Sequence, residues 1–164
     1  MVLPFDSAKT FVGPNGTYYD ERWRWMEWRD HNQSWNWAAA LSLGGWLAYR
    51  RLYGAMALHL GWLGLLMILA VNGVPLTLLA VLQLGMAVTI GLYGNLMYRQ
   101  FFRRVALRVA RDHQEHAARV AALADAGGTD RRAVYGMVAV LVGLAVGVVG
   151  LMRLTGAAIE FDLW

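Results

Sequence analysis

A chain of 164 residues that is 58% apolar, has no cysteine and carries a formal charge of +4 excludes disulfide frameworks, thiolate metal sites and thiol catalysis. Its charges are gathered into a few blocks instead of alternating, a sorting that a water-soluble core does not produce, and its mean hydropathy is +0.38. The length suffices for one compact unit of a few spans and falls short of the two-repeat architecture of most secondary transporters.

The opening residues, Met1-Val2-Leu3-Pro4-Phe5-Asp6, lack the basic and apolar regions of a secretory signal, so insertion is expected to rely on internal spans. Tyr18 to Arg29 mixes Trp23, Trp25 and Trp28 with three arginines and three acids. That chemistry predicts an amphipathic helix lying in the headgroup plane. Next, Ser34 to Tyr49 is apolar but short for a span and carries the break Gly44-Gly45. A re-entrant or interfacial helix is favoured there over a thin full span, because broken backbone at membrane depth is tolerated where protein covers it. Trp35, Trp37, Trp46, Tyr49 and Tyr53, beside Arg50 and Arg51, read as interfacial anchors for this segment.

Three nearly uncharged runs follow: Tyr53 to Val71, Val74 to Tyr98 and Ala133 to Met152. Each approaches the ~20 residues that a helix needs to cross a hydrocarbon core. The first two are separated only by Asn72-Gly73-Val74-Pro75, which predicts a helical hairpin. Beyond Tyr98 the apolar spacing of Phe102, Val105, Val109 and Val120 continues without a helix breaker to about Ala124, predicting one long helix that leaves the membrane and stops at Gly127-Gly128. Thr129-Asp130 then offers a cap for the last span. The fold class is therefore an all-α integral membrane protein with three transmembrane helices, a short aromatic-rich re-entrant or interfacial helix and an amphipathic N-terminal helix. Its segments are 1–33 (N-terminal interfacial), 34–98 (short membrane helix plus hairpin), 99–128 (cytoplasmic helical extension) and 129–164 (C-terminal span and tail).

All but one of the basic residues are arginines, clustered at 50–51, 99–111 and 131–132 and absent from the hairpin loop. By the positive-inside rule, 99–132 is expected to be cytoplasmic, and the 72–75 turn and the C-terminus outside. In such a chain these arginines serve orientation and contact with a bilayer bearing anionic headgroups; nucleic acid is rejected as a partner.

Small residues supply packing signals. Gly54, Ala57, Gly61 and Gly64 form one stripe, and Gly136, Gly143, Gly147 and Gly150 another, each allowing close helix approach to a partner or within the chain. Intramembrane polar residues are few: His59, Gln83 and Asn95. Hydrogen bonds between helices are the expected use of Gln83 and Asn95, with Asn95 also placed to cap the broken segment by bonding to that segment's free backbone groups. His59 is expected either to reach the headgroup region or to bond to Asn95 across the hairpin, in preference to cofactor ligation. Asp112-His113-Gln114-Glu115-His116 reads as a solvated helix face in preference to a metal site. No catalytic, cofactor or metal signature is present in the sequence, so a non-enzymatic role is expected.

Four runs taken together carry a resemblance. They are Phe11-Val12-Gly13-Pro14-Asn15-Gly16-Thr17-Tyr18-Tyr19, Ser34-Trp35-Asn36-Trp37-Ala38-Ala39, Trp46-Leu47-Ala48-Tyr49-Arg50-Arg51-Leu52-Tyr53 and Gly91-Leu92-Tyr93-Gly94-Asn95-Leu96-Met97-Tyr98. In order and spacing they resemble the bacterial membrane family called domain of unknown function 2628, over about residues 11–108. Gly44-Gly45 replaces a frequent Gly-Pro of that family, and the last span lies beyond the match. The resemblance implies a multi-pass protein of the bacterial inner (plasma) membrane with no established activity. Two roles are then open: an accessory, assembly or stabilising subunit of a larger membrane protein complex, or a small channel or transporter component formed by oligomerisation, with His59, Gln83 and Asn95 lining its path.

Overall fold

The computed structural model describes residues 6–155, and among these the regular structure is helical: α1 (Asp6–Val12), α2 (Gly16–Trp28), α3 (Trp37–Leu41), α4 (Gly45–Tyr49), α5 (Tyr53–Val71), α6 (Leu76–Asp112), α7 (His116–Ala126) and α8 (Arg131–Thr155). Three stretches are long and apolar enough to cross a membrane, in α5, in α6 and in the apolar part of α8. The expected outer tail with Glu160 and Asp162 lies outside the described residues.

The N-terminal pair α1 and α2 turns at Gly13, whose φ of +75° glycine adopts without strain. A Cβ at Gly16 would sit 2.9 Å from the Lys9 Cα, so the two helices cross at a contact that only glycine permits. Helix α2 then lies along α6 with Tyr19, Trp23 and Met26 buried and Trp28 exposed. The expectation of a helix resting only on the headgroup plane is thus corrected for one face: Trp23 stacks on Phe102 of α6 with centroids 5.3 Å apart and joins the protein core.

The broken segment after α2 takes the form of two five-residue helices. Leu43 (φ +48°) and Gly44 (φ +89°) reverse the chain between α3 and α4, and Arg51 (φ +59°) turns it again into α5. Asn36 caps α3, its Oδ1 accepting from the Ala39 N–H at 3.0 Å, and the Ser42 hydroxyl oxygen caps α4, accepting from the Trp46 N–H at 2.9 Å.

Helix α5 has the expected bounds, and α6 runs unbroken from the hairpin turn through the arginine block. The expected continuation to Ala124 does not form. The chain extends at His113 and Glu115, and α7 folds back against α6 and α1. No glycine or proline marks this break; Arg119 stabilises it by donating to the carbonyls of His113 (2.7 Å) and Ala110 (3.5 Å), groups that a helix C-terminus leaves unpaired. The run 112–116 is therefore an inter-helix corner, not a helix face. α7 ends at Ala126, as the glycines predict, and Asp130 Oδ1 caps α8 by accepting from the Ala133 N–H at 3.0 Å.

Candidate functional site

The most highly specified region is the junction where the stretch 31–36 and the short helix α3 dock on the middle of α6, with α4 packed beside them against α8 and α5. Glycine makes the docking possible. A Cβ at Gly91 would lie 2.9 Å from the Ala40 Cβ, and one at Gly94 would lie 3.0 Å from the Ala39 Cβ, so the two alanines of α3 sit in notches on α6. This connecting segment adds its own N–H groups to the carbonyls of α6, Ser34 to Leu92 at 3.1 Å and Asn36 to Gly91 at 2.8 Å.

Asn95 closes the junction. Wholly buried, it donates through Nδ2 to the Ser34 carbonyl (3.2 Å) and hydroxyl (3.1 Å) and accepts at Oδ1 from Asn36 Nδ2 (2.9 Å), while its backbone carbonyl accepts from the Trp23 indole (3.2 Å). Every polar group of this side chain is thereby satisfied inside the protein, which is what burial demands. The predicted bond from Asn95 to His59 is absent, because its capacity is consumed by Ser34 and Asn36. His59 instead lays its ring on the glycine break: a Cβ at Gly44 would fall 2.6 Å from the His59 Cδ2. Gln83, the third polar residue, accepts at Oε1 from the Trp62 indole at 3.1 Å and ties the two arms of the hairpin together.

Below Asn95, Tyr98 is the centre of an aromatic cage, with Phe11, Tyr19, Trp23 and Trp46 rings at 5.0 to 6.0 Å. The Arg50 guanidinium enters this cage, only 2% exposed, over the rings of Tyr19 (4.7 Å), Tyr98 (5.4 Å) and Tyr49 (5.4 Å), and donates to the Val12 carbonyl at 3.2 Å. No carboxylate pairs with it among the described residues; aromatic faces supply the compensating negative potential. Two of the anchors expected at the lipid interface, Trp46 and Arg50, are therefore core residues, whereas Trp37 (66% exposed) and Tyr53 remain at the surface. Composition could not separate these cases, since an aromatic-arginine cluster looks the same whether lipid or protein surrounds it.

Electrostatic clamps fix the remaining faces. Glu27 of α2 pairs with both Arg99 and Arg103 of α6, the latter at 2.9 Å. Three main-chain contacts attach the turn between α7 and α8: Gly128 N–H to the Phe11 carbonyl, the Arg51 guanidinium to the Asp125 carbonyl (2.6 Å), and Asp130 N–H to the Tyr49 carbonyl (2.9 Å). The Tyr53 hydroxyl donates to Asp130 Oδ2 at 2.7 Å.

The predicted glycine stripes behave differently from the glycines of the junction. Among the described residues, no atom outside their own helix backbone lies within 4 Å of a Cβ built on Gly54, Gly61 and Gly64 of α5 or on Gly136, Gly143, Gly147 and Gly150 of α8. These stripes are unpacked by the described residues. Among the described residues no group of three or more histidine, aspartate or glutamate side chains converges as a metal site would require.

In comparisons with known proteins, residues 7–104 match the family model described as Protein of unknown function (DUF2628). That range takes in α1 through the arginine exit of α6 and leaves out α7 and α8. No curated protein and no solved structure matches the chain.

Proposed function

The chain belongs to the DUF2628 family, and we propose that it is a non-enzymatic, multi-pass subunit of the bacterial inner membrane that assembles with or stabilises a larger membrane protein complex. One observation carries this reading: the spans are almost unpacked within the chain. Only 11%, 17% and 6% of the residues in the three apolar windows are buried by the rest of the protein, and the glycine faces of α5 and α8 are open. Close backbone approach is what such stripes offer to a neighbouring helix. The junction holds the helices at their cytoplasmic ends, and the spans present their faces to whatever lies beside them.

The alternative, an oligomeric channel lined by His59, Gln83 and Asn95, loses support because Asn95 and Gln83 are already hydrogen-bonded and His59 is buried against Gly44. A path needs polar groups that remain free to meet the solute.

Native mass spectrometry of gently solubilised membranes, comparing the natural chain with Gly143→Leu, tests the proposal. Leucine favours insertion while forcing helix backbones apart. A hetero-complex that is lost in the variant, with the thermal stability of the isolated chain unchanged, supports the reading; a homo-oligomer that conducts ions overturns it. The arginine blocks further support an orientation with 99–132 cytoplasmic and the hairpin turn outside. Reporter fusions after Asn72 and Gly127 should read outside and inside respectively, and an outside signal at Gly127 reverses the orientation.

A further inference from the structure

A cavity of about 360 Å³ opens beside the start of α5, between Arg51 and Ala55 on one wall and Met97 to Arg104 of α6 on the other. Its lining is two-sided in character. Arg51, Arg104 and Gln100 supply cationic and amide donors, and Leu52, Met97 and Phe101 supply an apolar surface. The first turn of α5 also lines it, and that turn has no side-chain cap and no acidic residue. The N–H groups of a first turn have no intrahelical acceptor and stand at the positive end of the helix dipole.

Arg51 is held in place for this arrangement. Its backbone occupies the left-handed region at φ +59°, a conformation costly for a residue with a side chain, and its Nε is buried without a hydrogen-bond partner. One of its terminal nitrogens is fixed on the Asp125 carbonyl. The nearby Asp130 carboxylate is engaged by the Tyr53 hydroxyl and the Ala133 N–H. Arg104 has no ion pair among the described residues, whereas its neighbour Arg103 is paired with Glu27. A pair of arginines, an amide and uncapped helix N–H groups around one cavity favour an anion with several acceptor oxygens, and a phosphate fits that donor geometry.

The height of the cavity selects among phosphates. It lies where α5 begins and where α6 passes from its apolar part to its arginine block, which is the headgroup level if these helices cross the bilayer. We propose that this cavity binds the phosphate of an acyl-bearing anionic amphiphile, an anionic phospholipid, with Arg51, Arg104 and the first turn of α5 on the phosphate and Met97 and Phe101 along the first carbons of its chains. This inference rests on α5 and α6 being spans and is independent of the accessory-subunit reading.

The test uses the full chain in a neutral detergent, followed by thermal unfolding and by lipid retention in native mass spectrometry. Arg104→Gln and Gln100→Glu are the variants, since both lie at the cavity and neither side chain is in a hydrogen bond or ion pair that ties the helices together among the described residues. Added phosphatidylglycerol should stabilise the natural chain and be retained as a one-to-one adduct, with retention reduced on the order of tenfold in either variant, through loss of a charge-assisted contact in Arg104→Gln and through repulsion of the phosphate by the new carboxylate in Gln100→Glu. Phosphatidylcholine should do neither. If inorganic phosphate alone reproduces the stabilisation, and the variants abolish it, the cavity is a phosphate site whose ligand is soluble and not a lipid, and the amphiphile assignment falls. Equal retention of phosphatidylcholine, or unchanged retention in both variants, overturns the site itself.

Discussion

The junction around Asn95 and the apolar stretches of α5 and α8, long enough to cross a membrane, use the same residue, glycine, to opposite ends. In the junction, Gly91 and Gly94 are notches already filled by Ala40 and Ala39. Along these apolar stretches, Gly61 and Gly143 are notches that none of the described residues fills. Small residues in a membrane helix thus mark a place where another backbone can come close, without saying whether that backbone belongs to the same chain. Hydrogen bonds make the distinction here. The junction couples its notches to a polar network in which the Asn95, Ser34 and Asn36 side chains are joined to one another, while among the described residues the side-chain hydrogen bond across the hairpin is that from Trp62 to Gln83.

The largest expected effect therefore falls on the junction. Asn95→Leu keeps the branching and heavy-atom count of the side chain but leaves the Ser34 hydroxyl and the Asn36 amide buried without partners, which should destabilise the isolated chain by about 3 kcal/mol. Thermal unfolding in detergent measures this, and a loss below ~1 kcal/mol would mean that the network is wetter and less coupled than its geometry indicates. A smaller effect is expected where the two regions meet. The Ala133 N–H, and after it the Tyr53 hydroxyl, hold the Asp130 carboxyl below its ordinary value of 3.8. Because the folded state depresses this pKa, the stabilising contribution is present above the ordinary value and disappears as pH falls through the folded one. Below about pH 4 the natural chain should lose an increment of stability that Asp130→Asn does not lose; parallel acid limbs for the two proteins would show that the α8 cap does not titrate. The smallest effect is expected in the spans: Gly61→Leu should change the stability of the isolated chain by no more than ~0.5 kcal/mol, and a loss comparable to that of Asn95→Leu would break the contrast between the regions.

The two regions also differ in how far their sequence announces them. Length and hydropathy delimit α5 at the observed residues, and Gly127-Gly128 marks the end of α7, because these are local properties of the chain. The break at His113 is not local. It depends on Arg119 reaching back to the His113 and Ala110 carbonyls, and no residue between Asp112 and Glu115 signals it. The partners of Asn95 were present in the motif runs, since Ser34, Asn36, Gly91 and Asn95 all belong to them, yet spacing along the chain does not say which polar groups meet across ~60 residues. Arg50 was harder still. A cation beside tryptophan and tyrosine normally reaches for headgroups, and only the fold reveals that Tyr19 and Tyr98 enclose it.

The attachment of the α7–α8 turn to the end of α1 has a consequence for synthesis. Helix α1 has seven residues, too few to persist alone in water, and the carbonyl of Phe11 is satisfied by the Gly128 N–H. At ~10 residues per second, the ribosome delivers that partner on the order of ten seconds after Phe11 itself has been made. Helix α1 is thus completed by a turn made much later in the chain, and a nascent chain arrested before Gly128 should leave α1 open to proteases. The family region spanning 7–104 ends before Gly128, so this contact ties the matched region to helices that lie outside it.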